Sequence, residues 1–171
     1  MTAPAPCRRS RFGVLVVAVE IERKFLVRGD FRPDVVTSTR ICQGYLCSAP
    51  ERTVRVRLCG TRAFLTIKGS SGVSGLTRYE WECELPATEA MELLELCEPG
   101  RIDKIRHRVD FAGKTFEVDE FGGDNQGLLI AELELECEEE SFDCPDWLGQ
   151  EVTGEPRYYN SSLVRNPYRC W

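Results

Sequence analysis

The feature that most constrains the fold is an alternation, repeated through the chain, of charged and apolar side chains. Successive side chains of a β-strand point to opposite faces. The stretch "VEIERKFLV" (19–27) therefore sets Glu20, Glu22 and Lys24 on one face and Val19, Ile21 and Phe25 on the other, with Arg23 as an exception. Arg55 and Arg57 oppose Val54, Val56 and Leu58, and Thr66 and Lys68 oppose Leu65 and Ile67. Glu80, Glu82 and Glu84 oppose Trp81, Cys83 and Leu85, while Lys104, Arg106 and Arg108 align against the less clean face of Ile105, His107 and Val109. Glu117 and Asp119 oppose Phe116 and Val118, and Glu132, Glu134 and Glu136 oppose Ala131, Leu133 and Leu135. A solvent face usually mixes Ser, Thr, Gln and Lys, and like charges placed opposite one another repel. Faces this uniformly charged suit the inside of a closed antiparallel barrel whose apolar faces lie outside under helices.

The remaining segments fit that β-rich α+β plan. "TEAMELLELC" carries Met91, Leu94 and either Leu93 or Cys97 at helical spacing, which predicts an amphipathic helix of about three turns. Trp147, Leu148, Tyr158, Tyr159 and Leu163 are spaced as short helices covering an apolar surface. A length of 171 residues suits one domain, placed at 19–171, with 1–18 as an extension that is disordered or partly an added strand. Arg8, Arg9 and Arg11 before the apolar run 13–19 imitate a signal peptide, but the run is too short to span a membrane and continues into the Glu20 strand.

A net charge of -6 argues against a nucleic-acid surface built on bulk positive charge, and no membrane partner is expected. Nine cysteines, an odd count with no CxxC pair, indicate neither a zinc site nor a disulfide framework. They read as free thiols of a cytoplasmic protein, with a single Cys42–Cys47 disulfide left open. Nothing in the pattern decides between a monomer and a homodimer.

Seven inward bases and ten inward carboxylates are too costly to bury dry, so the lumen has to be wet and filled by a ligand. Arg and Lys complement phosphate oxygens. Carboxylates at i and i+2 of a strand can share Mg²⁺ or Mn²⁺, ions that prefer oxygen ligands and bridge to phosphates. Basic strands for a polyanion and acidic strands for a divalent cation are the chemistry this implies.

The ordered set "EIERKF" (an ExExK motif), "QGYL", "RVR", "LTIKG", "EWECELP", "EVDEF" and "AELELE", with "WLGQEVT" and "RYYNSSL" near the C-terminus, resembles the CYTH or triphosphate tunnel metalloenzyme superfamily in its short bacterial form. The resemblance implies a closed eight-stranded antiparallel tunnel with helices outside, and a metal-dependent triphosphatase acting on a small triphosphate, foremost inorganic tripolyphosphate or else a thiamine or nucleoside triphosphate. Carried over by position, it makes Glu20, Glu22, Asp119, Glu132 and Glu134 metal ligands for Mg²⁺ or Mn²⁺. It makes Lys24, Arg55, Arg57, Lys68, Lys104, Arg106 and Arg108 substrate ligands, and Lys24, Tyr45 and Glu22 the catalytic group. Glu82 and Glu84 match the acidic strand, and Arg165 matches a basic position near the C-terminus. Two other outcomes stay open: a class IV-type adenylate cyclase making cyclic AMP from ATP, and a non-catalytic polyphosphate- or nucleotide-binding module. Bulk packing explains His107, Trp81 and Trp147, Tyr45 can be structural, Glu80 can sit at the tunnel mouth, and Glu136 with Glu138, Glu139 and Glu140 reads as a solvated acidic run.

Overall fold

Alternating β-branched, aromatic and charged residues give nine strands in the computed structural model, which describes residues 14–49, 51–71 and 77–171, with side chains from residue 21 onward except 50 and 71–78. The strands are β1 (Val14–Val27), β2 (Val35–Cys47), β3 (Arg52–Cys59), β4 (Arg62–Ser71), β5 (Thr77–Leu85), β6 (Ile102–Phe111), β7 (Lys114–Phe121), β8 (Leu129–Leu135) and β9 (Leu148–Glu151). Two helices accompany them, α1 (Ala87–Glu95) and the single turn α2 (Asn160–Leu163). The strands run in the order β5-β4-β3-β2-β6-β7-β8-β1, and β1 pairs back to β5, so eight antiparallel strands encircle one lumen. The seam is staggered. The first half of β1 pairs with β5 and its second half with β8, and where β5 leaves that edge β9 takes it over at Phe25 and Val27.

Three apolar clusters hold the ring. On one outer flank Phe25, Phe116, Val118, Ala131 and Leu133 pack under Phe31, Trp147 and Leu148. On another, Ala90 and Leu94 of α1 sit on Val56 and Ala63. Gly44 permits that approach, because a Cβ there would lie 2.8 Å from the Cys97 sulfur and 3.2 Å from Leu94 Cδ2. The helix therefore rests on its i, i+4 pair Ala90 and Leu94, and Met91, expected on the buried face, is 53% exposed.

The third cluster differs from expectation. Leu26, Ile102, Phe121 and Ile130 share the inward faces of Lys24, Lys104, Asp119 and Glu132, one step further along each strand. Val152, Tyr158 and Leu163 pack on them. Trp147 and Leu148 thus cover the exterior as expected, whereas Val152, Tyr158 and Leu163 close one end of the barrel from within, and the first part of the segment is the strand β9 rather than a helix. All eight described cysteines are free. Cys42 and Cys47 lie on one extended strand, where five residues span roughly 16 Å, far beyond disulfide reach.

The β6–β7 hairpin turns on Ala112 and Gly113, with φ of 47° and 79°. Two positive φ values in a two-residue loop define the type I′ turn, which favours Asn-Gly. Ala112 carries a Cβ into a left-handed conformation that costs about 1–2 kcal/mol. Ala112→Asn is expected to stabilise the fold by about 0.5–1 kcal/mol, read as a higher urea midpoint at unchanged m-value.

Candidate active site

The inward faces of the strands enclose a cavity of about 550 Å³. Its charged lining comprises six bases, Lys24, Arg55, Arg57, Lys68, Arg106 and Arg108, and six carboxylates, Glu22, Glu80, Glu82, Glu117, Glu132 and Glu134. Among the described residues the numbers are equal, so a polyanion finds ample donors there but no surplus of positive charge, and accompanying cations would supply it.

Register explains how so many charges coexist. Lys24 lies opposite Glu132, Lys68 opposite Glu80, and Arg106 opposite Asp119, so most facing pairs are of opposite sign. Arg106 is the hub. Its Nε and Nη2 each donate to Asp119 at 2.7 Å, and it also reaches Glu117 and Glu132. Lys24 donates to Glu132 and lies 3.2 Å from Glu22. On the other wall Arg57 donates to Glu82 at 2.9 Å, while Thr66 accepts from Arg55 and donates to the same carboxylate.

Unspent hydrogen-bonding capacity remains in the wall of the lumen. The buried Nε atoms of Arg55 and Arg57 have no acceptor among the described residues, a costly state that a phosphate oxygen would relieve. Glu22 and Glu134 stand directly opposite each other on β1 and β8, two like charges in register. An oxygen-only pair of this kind suits a hard divalent cation that completes its shell with water and phosphate oxygens. Among the described residues no three carboxylates already converge as a finished metal cage.

A CYTH domain model matches residues 18–168. The chain belongs to the CYTH family. An inorganic triphosphatase of Acetivibrio thermocellus is 49% identical over 151 residues, covering 88% of this chain and 96% of that protein. An inorganic triphosphatase of Nitrosomonas europaea is 35% identical over 149 residues, covering 85% and 96%. A crystal structure of an inorganic triphosphatase superposes with a TM-score of 0.63 at 34% identity, covering 85% of this chain and 93% of the other.

Within this CYTH site the residues expected from sequence divide into two groups. Lys24, Arg55, Arg57, Lys68, Arg106, Arg108, Glu22, Glu132 and Glu134 line the cavity. Lys104 and Asp119 face inward but are fully buried against each other, behind the lining. Tyr45 is also buried outside the lining, its hydroxyl accepting from Gln43 Nε2 at 3.2 Å. Glu20 pairs with Arg78 through the backbone register, and its side chain lies outside the described residues. Glu84 is exposed on a bidentate pair with Arg62, and Arg165 is engaged by Ser48 and Glu98, both away from the cavity. Glu80 belongs to the interior, paired with Lys68 at 2.5 Å. Glu117, Thr115 and Asn160 complete the lining without having been singled out as ligands.

Burial and neighbours set the charge states. Burial pulls the Lys24 ammonium down, but Glu132 and Glu22 outweigh it and hold the pKa above the ordinary lysine value. Burial dominates at Lys104, which is pushed down to about 8 despite Asp119. Burial opposes ionisation of Glu132 too, yet Lys24 and Arg106 prevail and keep its pKa well below the usual 4.5, and Arg106 and Lys104 act likewise on Asp119. For carboxylates with depressed folded pKa values the unfolded chain binds more protons, so their stabilisation is present above about pH 4.5 and is lost as pH falls further. Glu117, raised chiefly by burial, has the opposite sign. Urea unfolding of the metal-free protein is expected to show stability declining below pH 4.5, and Glu132→Gln is expected to flatten that decline.

Proposed function

We propose that this protein is a divalent-metal-dependent inorganic triphosphatase that hydrolyses tripolyphosphate and releases phosphate, with Mg²⁺ or Mn²⁺ as the cation. The observation that carries the reading is the charge-balanced cavity, in which Arg55 and Arg57 line the wall with buried Nε donors that have no acceptor among the described residues while Glu22 and Glu134 face each other. The names of the two CYTH relatives support it. A cytoplasmic location is supported by the eight free thiols. No helix among the described residues is long and apolar enough to cross a membrane.

Hydrolysis of a phosphoanhydride needs little covalent chemistry from the protein, so positioning and charge stabilisation carry it. Arg55, Arg57, Lys68, Arg106 and Arg108 surround the cavity and serve as donors to phosphate oxygens. Lys24 is held in its protonated form by Glu132 and Glu22, which suits it to donate to the substrate. Lys104 and Asp119 act one layer back: Asp119 takes two hydrogen bonds from Arg106 and fixes the plane of that guanidinium. Asp119 is wholly buried and lies outside the cavity lining, so Glu22 and Glu134, with Glu132 and Glu20, are the residues that would hold the divalent ion. When bound, that ion supplies the positive charge missing from the lining and neutralises the phosphate oxygens. Tyr45 stands opposite Arg55 on the neighbouring strand, from where it supports the position of that guanidinium.

Purified protein is expected to release phosphate from tripolyphosphate with Mg²⁺ or Mn²⁺ and to fall silent with a chelator. Cyclic AMP formed from ATP, with no phosphate from tripolyphosphate, would sink this reading. Hydrogen bonds to charged groups contribute about 1.5–3 kcal/mol, so Arg57→Ala is expected to lower kcat/KM by about 10–100-fold. Glu22→Gln is expected to weaken metal activation by at least about tenfold, measured as the metal concentration giving half-maximal rate.

A further inference from the structure

The segment that closes the barrel carries one polar side chain into the cavity. Val152 N donates to Lys24 O at 2.8 Å, Thr153 Oγ1 accepts from Lys24 N at 2.9 Å, and the chain then crosses the lumen to Arg165, which binds Ser48 and Glu98 on the β2 side. Beyond this crossing, Tyr168 N donates to Asn125 Oδ1 at 2.9 Å, Arg169 pairs with Asp124 at 2.6 Å, and Trp171 packs edge-on against Tyr158 with Arg157 over its ring. Tyr158 and Leu163 face the apolar floor, and Asn160 between them faces the charged cavity. The crossing is anchored on both sides, so Asn160 is held in a fixed place.

Asn160 Oδ1 is buried and has no hydrogen-bond partner among the described residues. An amide oxygen accepts hydrogen bonds, and leaving one buried and unsatisfied costs about 1–3 kcal/mol. An ionised triphosphate presents acceptors almost exclusively, so it cannot satisfy this oxygen. A water molecule can. The amide nitrogen of the same side chain can meanwhile donate to a phosphate oxygen, which none of the lining carboxylates can do. An uncharged amide that holds water beside phosphate is the arrangement that orients the nucleophile in other phosphoryl-transfer sites.

We propose that Asn160 orients the attacking water at the closed end of the cavity, Oδ1 accepting from the water and Nδ2 donating to the terminal phosphoryl group. The inference rests on the triphosphatase reading and adds a residue to it. Water attacks the terminal phosphorus, the anhydride bond to the bridging oxygen breaks, and the proton lost by the water passes to a phosphate oxygen; Asn160 is chemically unchanged.

The test is steady-state hydrolysis of tripolyphosphate with Mn²⁺ by the full-length wild type, Asn160→Ala and Asn160→Asp, alongside thermal melts. Misplacing a reacting group can cost about 100-fold, so Asn160→Ala is expected to lower kcat by about 10–100-fold with KM within about threefold and an unchanged melting temperature. Asn160→Asp keeps an acceptor but repels phosphate, so it is expected to raise KM and retain more kcat than Asn160→Ala. A kcat for Asn160→Ala within twofold of an active wild type would overturn the role of Asn160 alone. Should Asn160→Ala melt markedly lower, the near-isosteric Asn160→Asp decides, and a kcat loss in it as large as that of Asn160→Ala overturns the proposal. A wild type that releases no phosphate from tripolyphosphate overturns the triphosphatase reading, and this inference with it.

Discussion

A guanidinium cannot be taken out of bulk water alone, and the half-buried Arg106 sits among three carboxylates contributed by two neighbouring strands. The chain of contacts continues through Asp119 to Lys104 and through Glu132 to Lys24 and Glu22, linking β6, β7, β8 and β1. Removing one member of a buried ion pair costs about 3–5 kcal/mol because the partner is left uncompensated. The network therefore also fixes register. A slip of one residue in β7 would turn Glu117 and Asp119 outward, bring Phe116 and Val118 against Arg106, and expose a row of apolar side chains on the lumen. The outer apolar clusters stabilise the barrel, while the ionic interior permits only one alignment of its strands.

The same interior makes the cavity selective in a way that bulk charge does not reveal. A protein of net charge -6 offers no long-range attraction to polyphosphate. Inside, each base already has an acidic neighbour, so an entering phosphate chain competes with carboxylates for the same donors. Glu82, held by Arg57 and Thr66, is one such competitor. A carboxylate displaced from its arginine becomes a ligand for a cation, which ties metal affinity to substrate affinity through the shared wall.

The barrel was legible in the sequence because its signal is local: a period of two, repeated in strand after strand, identifies an inward face without any knowledge of partners. What that reading lacked was position along the strand. Leu26, Ile102, Phe121 and Ile130 continue the inward faces of Lys24, Lys104, Asp119 and Glu132, and the change from charged to apolar at the same end of four strands marks a floor. Lys104 and Arg106 share a face in sequence, yet the tilt of strands in a barrel puts one behind the wall and the other on it. Strand β9 is four residues long, too short for a periodic signal, and it exists because the edge of β1 is vacant where β5 departs. Asn160 lies within the "RYYNSSL" motif, but no periodicity singles it out there. Its significance comes from a chain crossing set by contacts at Lys24, Ser48 and Asn125, residues far apart in sequence.

A closed end changes the physics of the lumen. In a barrel open at both ends, water screens the ionic wall along its whole length and weakens every contact to phosphate. The plug of Val152, Tyr158 and Leu163 on Ile102 and Phe121 closes one end to bulk solvent, and there Lys24 and Glu132 are almost fully buried. Opposite charges attract more strongly in such surroundings, which is how Lys24 keeps its proton in spite of the burial that opposes it. A phosphoryl group reaching that end meets donors that are already oriented and poorly hydrated, so little reorganisation remains for the reaction step. The C-terminal segment, which follows the charged strand β8, is thus the element that turns an ion-lined barrel into a site with one closed, oriented end.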